Sequence, residues 1–202
     1  MKIINFESSY YGLNEMFGLP AVGKTTYLRE HNEYINVNND KNKHFVGRQV
    51  YKVSSFFYVL MFYFSFFFNS LCLIKNSNLS MKDGVRLFLN LMRVKRESSS
   101  NKNPKGTSDQ GIFQALWSIA VFSRADKSKM RTLLIKFIEQ DKNGLPNKVI
   151  FLHNDTSVNL KNELKRYGHY GRYYENKKNI DLAEYYENVI FDILQKWYTT
   201  ND

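Results

Sequence analysis

The sequence predicts an α/β fold with a mainly parallel sheet, in a single domain covering residues 1–202. Three observations carry this reading. Short apolar segments alternate with longer segments of helical periodicity, the pattern of strand–helix–strand units. The clearest strand, VIFLH at residues 149–153, is short, continuous and apolar, as a strand covered on both faces is. A composition of 43% hydrophobic and 24% charged residues suits a folded chain with a substantial core, and argues against collagen-like, coiled-coil and disordered classes.

In chain order, MKIINF reads as a short edge strand, SSYYGLN as a connection and EMFGL as a brief buried strand that runs into a Gly-bounded turn. A helix follows from Lys24 to about His31, and EYINV is the next strand. Gln49 to Ile74 is an almost unbroken aromatic and aliphatic helix-like segment, and MKDGVRLFLNLMRV is amphipathic at helical spacing. The polar stretch ESSSNKNPKGTS, Glu97 to Ser108, predicts a loop and excludes a buried strand there. Helical spacing returns in QGIFQALWSIAVFSR and KSKMRTLLIKFIEQ, the latter ending near Asn143-Gly144. After VIFLH, residues Leu160 to Trp197 read as helical with an interruption at YGHYGR.

Cys72 is the one cysteine, so neither an intramolecular disulfide nor a cysteine-based zinc site is expected, and the expected compartment is reducing and cytoplasmic. The first fifteen residues do not read as a secretory signal.

The strongest motif is GLPAVGKTT, which matches G-x-x-x-x-G-K-[ST] through Gly18, Gly23, Lys24 and Thr25. Such a loop curls so that successive backbone N–H groups face phosphate oxygens, and side chains at the glycines would crowd that path. Gly18, Leu19, Pro20, Ala21, Val22, Gly23, Lys24, Thr25 and Thr26 are therefore the candidate nucleotide-binding residues. Lys24 has the reach for β and γ phosphates, and the Thr25 hydroxyl suits a magnesium ion between them.

The residues around this loop resemble the P-loop kinases of small molecules, a group that includes nucleoside, nucleotide and some sugar kinases. The resemblance implies a three-layer α/β/α P-loop NTPase fold with a helical lid, ATP and Mg2+ as cofactors, and a small-molecule acceptor. It also implies an acidic motif at the carboxyl end of another strand and an arginine-bearing lid over ATP. Asp109, in Ser108-Asp109-Gln110-Gly111, looks like the acidic residue that holds magnesium or a metal water, or accepts the acceptor's proton; it is equally suited to cap the helix behind it. The lid candidate is about 160–178, where Arg166 and Arg172 flank two glycines and would meet the phosphate charge; a solvated basic helix end is the plainer reading, and His169 between them reads as surface. The implied acceptor side is a helical region of about 48–96, with Arg48 and Arg86 as candidate ligands, although ordinary surface charge explains either. Gln110 stands where thymidylate kinases carry arginine.

From Phe56 to Ile74 the chain carries no charge. That length admits a transmembrane helix, but Tyr58, Tyr63, Ser65, Asn69 and Ser70 interrupt the run, and a span would divide the loop from its lid. The favoured reading is a helix in the core or at a homodimer interface. The others are a groove for a lipid-linked or membrane-surface acceptor, with peripheral membrane contact, and a span.

The expected function is transfer of the γ-phosphate of ATP to a small acceptor, with Lys24, Asp109, Arg166 and Arg172 as catalytic residues and Thr25 and Asp109 at the metal. Two rivals come from other classes. One is an ATP- or GTP-binding regulatory protein without an acceptor; no N-K-x-D motif supports a GTPase proper. The other is a basic nucleic-acid-binding protein, suggested by the net charge of +10 and the tyrosines among Lys165 to Lys178, against which the loop motif weighs.

Overall fold

The computed structural model describes residues 1–8, 13–31, 35–36, 45–100, 106–168 and 177–201, and it is an α/β structure with a mixed sheet. The strands are β1 (Lys2–Glu7), β2 (Asn14–Phe17), β3 (Ile35–Asn36), β4 (Gly106–Ser108), β5 (Lys148–His153) and β6 (Thr199–Asn201). The helices are α1 (Lys24–Glu30), α2 (Phe45–Phe62), α3 (Phe64–Asn76), α4 (Met81–Ser100), α5 (Ile112–Phe122), α6 (Lys127–Gln140), α7 (Thr156–Tyr167) and α8 (Lys177–Trp197).

The sheet order is β3-β4-β2-β5-β1-β6. β3, β4, β2 and β5 run parallel to one another, whereas β1 is antiparallel to both β5 and β6. The expected mainly parallel sheet is therefore a mixed one. The reason lies in the link from β1 to β2, which is too short for the helical crossover that parallel neighbours need. β1 instead lies on the far side of β5 with reversed direction.

Alternation along the strands builds a core on each face of the sheet. Phe17, Val149 and Phe151 point into the larger core, with α5, α8 and the helices beyond them. Met16, Ile150 and Leu152 point to the other face, where they meet Val22, Tyr27 and Leu28 at the start of α1. α5 lies at the centre of the larger core, with nine of its eleven residues buried. Trp117 is wholly buried there, and its indole N–H donates to the Ala183 carbonyl of α8 at 3.0 Å.

Two expectations change. The polar stretch before Asp109 is not all loop: α4 runs to Ser100, and Gly106–Ser108 is a fully buried strand. Its pairing explains this, since Gly106 and Thr107 face β3 while Thr107 and Ser108 face β2. Small side chains let β4 sit between two strands, and burial follows from the ladder rather than from apolarity.

The long aromatic segment is also not one helix, because α2 and α3 meet at Tyr63 with a bend of 118°. The buried Lys95 of α4 holds the inside of this elbow, its ammonium 4.8 Å from the Tyr63 ring centre and 4.9 Å from that of Phe66. Among the described residues no single helix is long and apolar enough to cross a membrane. The inner face of the pair, with Val59, Phe66, Phe67 and Leu73, joins the larger core, whereas Phe57, Met61, Phe62 and Phe64 are exposed, so the favoured core reading holds for one face of the segment.

Trp117→Ala should lower the free energy of unfolding by about 3–5 kcal/mol, read from denaturant midpoints, because the site loses a buried ring and its hydrogen bond.

Candidate functional site

The loop between β2 and α1 turns tightly enough to reverse onto the sheet. Ala21 and Gly23 lie in the left-handed region, at φ 62° and 106°, and the Val22 N–H donates to the Leu19 carbonyl at 3.3 Å. A Cβ on Gly18 would run into the Leu152 carbonyl oxygen of β5, so only glycine lets the loop leave the sheet at this point. Gly23 caps α1, and Lys24 turns back over the loop, its ammonium donating to the carbonyls of Gly18 at 2.5 Å and Leu19 at 3.3 Å. Burial pushes Lys24 down to about 8, against Asp109, Glu187 and Glu15, which favour its charged form.

Asp109 follows β4, the strand beside β2, so the two chain segments leave the sheet as neighbours. The Thr25 hydroxyl donates to Asp109 Oδ2 at 3.5 Å across 84 residues of sequence. The Gln110 N–H donates to Ser108 Oγ at 3.2 Å and shapes the turn that carries Asp109. Asp109 is not the cap of α5, a role the sequence left open. The residue at the cap position is Gly111, and the capping carboxylate comes from another strand.

That carboxylate is Glu15 of β2, 1% exposed, which accepts the N–H groups of Phe113 at 3.0 Å and Gln114 at 2.8 Å. Burial pushes it up to about 7, although these amides, that of Ile112 and the charge of Lys24 pull the other way. Gly111 has no side chain where a Cβ would meet the Glu15 carboxylate. The signal for Glu15 was visible as a lone acid inside the apolar segment EMFGL, and the alternation alone did not show its partner.

A second buried acid supports the loop from α8. Glu187 of α8, 2% exposed, lies 3.1 Å from Nδ1 of His153 at the end of β5. Burial raises its pKa, while His153, the Leu19 amide and Lys24 favour its charged form. Neither His153 nor Glu187 is singled out by a sequence motif. The available signal was an acid on the apolar stripe Ala183, Glu187, Ile190, Leu194.

Lys24 and Thr25 lie at one end of a cavity of about 960 Å³, which is lined by the loop, Asp109 and Gln110, and by α4 and α5. That volume lies at the upper end of the range for small-molecule clefts. Arg86 lines the α4 side, anchored to Asp83 at 3.0 Å and lying 5.3 Å from the Phe122 ring centre. Asn90, Gln114 and Ser118 share that wall, and Lys52 reaches it from α2. Arg93, from the same helix, is committed to Glu97 at 2.9 Å. Asn162 and Glu163 of α7 also line the cavity, and Asn162 donates to the Ala21 carbonyl at 3.4 Å, so the first part of the expected lid touches the loop. Arg172 lies outside the described residues, as do the side chains of Arg48 and Arg166.

Among the described residues, no group of three or more His, Cys, Asp and Glu converges on a metal position. Thr25 and Asp109 supply two adjacent oxygens, a donor set that suits magnesium when phosphates and water complete the shell. No protein-family model, curated protein or solved structure gives a significant match to this chain.

Two predictions follow from Glu15. The folded chain holds this proton to about pH 7 and a free glutamate releases it near 4.5, so the folded state binds more proton between those values. The contribution of this group to stability therefore falls as pH rises through that window, and urea midpoints of Glu15→Gln should lack a pH-dependent component of up to about 3 kcal/mol. Gly111→Ala should cost about 1–3 kcal/mol in the same assay, because the added methyl displaces the Glu15 carboxylate.

Proposed function

We propose that the chain is a P-loop phosphotransferase with a three-layer α/β/α arrangement, which moves the γ-phosphate of ATP to a small acceptor. The observation that carries the reading is the Thr25–Asp109 hydrogen bond. It joins the Thr25 hydroxyl and the one acid that the sequence resemblance implied for the metal, on segments that follow the neighbouring parallel strands β2 and β4, beside Lys24.

Loop amides and Lys24 hold the β and γ phosphates, with Lys24 exchanging two carbonyl partners for phosphate oxygens. Magnesium, when bound, neutralises phosphate charge. Thr25 and Asp109 would hold it, and the contact between them supports a metal role for Asp109 over that of acceptor base. The acceptor lies against Arg86, Asn90 and Gln114 in the same cavity. Its oxygen bonds to the γ-phosphorus as the bond to the β–γ bridging oxygen breaks, ADP leaves with that electron pair, and the acceptor's proton passes to solvent. Arg166 and Arg172 are assigned to the migrating charge, on the resemblance alone.

The test is incubation with γ-labelled ATP, magnesium and fractionated nucleosides, nucleotides and sugars. A labelled acceptor should form with the native chain and not with Lys24→Ala, whose circular dichroism should be unchanged. Asp109→Asn should lower turnover by about 10–100-fold and raise the magnesium requirement. Full labelling by Lys24→Ala would overturn the mechanism. Slow hydrolysis without any labelled acceptor would favour a nucleotide-dependent regulatory protein.

A further inference from the structure

The outer faces of α2 and α3 are apolar where a helix facing water normally carries charge. On α2, Val53, Phe57 and Met61 succeed one another at four-residue steps and are 51%, 58% and 76% exposed. On α3, Phe64, Phe68 and Leu71 continue the stripe beyond the elbow, with Phe62 exposed at the bend itself. The opposite faces of both helices are already committed to the core, so the pair is apolar on two sides. Isolated exposed apolar residues are ordinary, whereas an exposed apolar stripe on each of two successive helices suits a docking surface.

Charge selects the occupant. Among the described residues from α2 to the start of α4, the exposed basic side chains are Lys75 and Lys82, and no acid precedes Asp83. Lys75, exposed, extends the α3 stripe by one more turn beyond Leu71. A second copy of the chain would bring two such segments of like charge together, whereas an anionic lipid surface offers the opposite sign. The bend of 118° suits a wedge that lies in the interface with its Phe, Met and Leu side chains at the headgroup–acyl boundary.

We propose that the α2–α3 elbow is a peripheral docking surface for bilayers rich in anionic phospholipid. The apolar side chains of the patch lie outside the lining of the phosphotransfer cavity, so this inference stands or falls separately from the proposed function.

The test is co-sedimentation of the full chain with vesicles of phosphatidylcholine alone and of phosphatidylcholine mixed with phosphatidylserine, at low and high salt. Sedimentation velocity without lipid accompanies it. The native chain should bind the mixed vesicles at least about tenfold more strongly than the neutral ones, and lose that preference in high salt. The combined variant Met61→Ser, Phe62→Ser, Phe64→Ser should weaken binding to the mixed vesicles by about tenfold or more, with ATP binding and circular dichroism unchanged. Lys75→Glu, which leaves the apolar stripe intact, should weaken it as well and gives an independent reading if the triple variant does not fold. The proposal is overturned if the native chain does not bind mixed vesicles, or if neither variant weakens that binding. It is also overturned if the native chain self-associates through these residues without binding lipid.

Discussion

The buried carboxylate of Glu15 is the interaction on which the arrangement of the site depends. It projects from β2, the strand that delivers the phosphate loop, and accepts the first N–H groups of α5, the helix that follows β4. One side chain thus ties the strand before the loop to the turn that carries Asp109. Three residues of β4, all small, provide little cohesion of their own. Without Glu15, the Phe113 and Gln114 amides at the start of α5 would lose their acceptor against the sheet. The absence of a side chain at Gly111 follows from the same contact.

Around the loop, cost and compensation are balanced among charges withdrawn from water. Lys24 loses hydration and recovers part of it from two carbonyls and from the field of three carboxylates, on β2, on α8 and after β4. Such a balance is weak evidence for stability, because burying ions is expensive even when they are paired. Under the proposed function it is the arrangement that a polyanion would meet. Incoming phosphates would face a cation already positioned, and the acids behind it hold the loop rather than line its mouth. Glu187 fits this division, since the Leu19 amide and His153 favour its charged form beneath the loop.

What could be read in advance depended on whether a residue's role is set locally. The phosphate loop was legible because backbone geometry demands glycine and a cation at fixed spacing. β5 was legible because its own side chains make it buried. β4 was not: Gly106, Thr107 and Ser108 look like loop, and only pairing on both edges makes them a strand. β1 was read correctly as a strand and incorrectly placed, because nothing in MKIINF encodes its direction. The elbow at Tyr63 was hidden for a related reason. No Gly or Pro marks the bend in sequence, and the side chain packed against it, Lys95, comes from another helix. Glu15 and Glu187 share a weaker signal, an acid where the pattern calls for an apolar side chain, and their meaning depends on partners far away in sequence.

The bond between Trp117 and the Ala183 carbonyl has a consequence for observation. The chain has two tryptophans, and both report on α8: Trp117 is hydrogen-bonded to it, and Trp197 is its last residue. Ala183 lies one turn before Glu187, the acid that supports the phosphate loop. Intrinsic emission is therefore a built-in optical gauge of that one helix. A ligand that shifts α8 against α5 would change the polarity around a wholly buried indole, and occupancy of the loop could be followed in the unlabelled native chain.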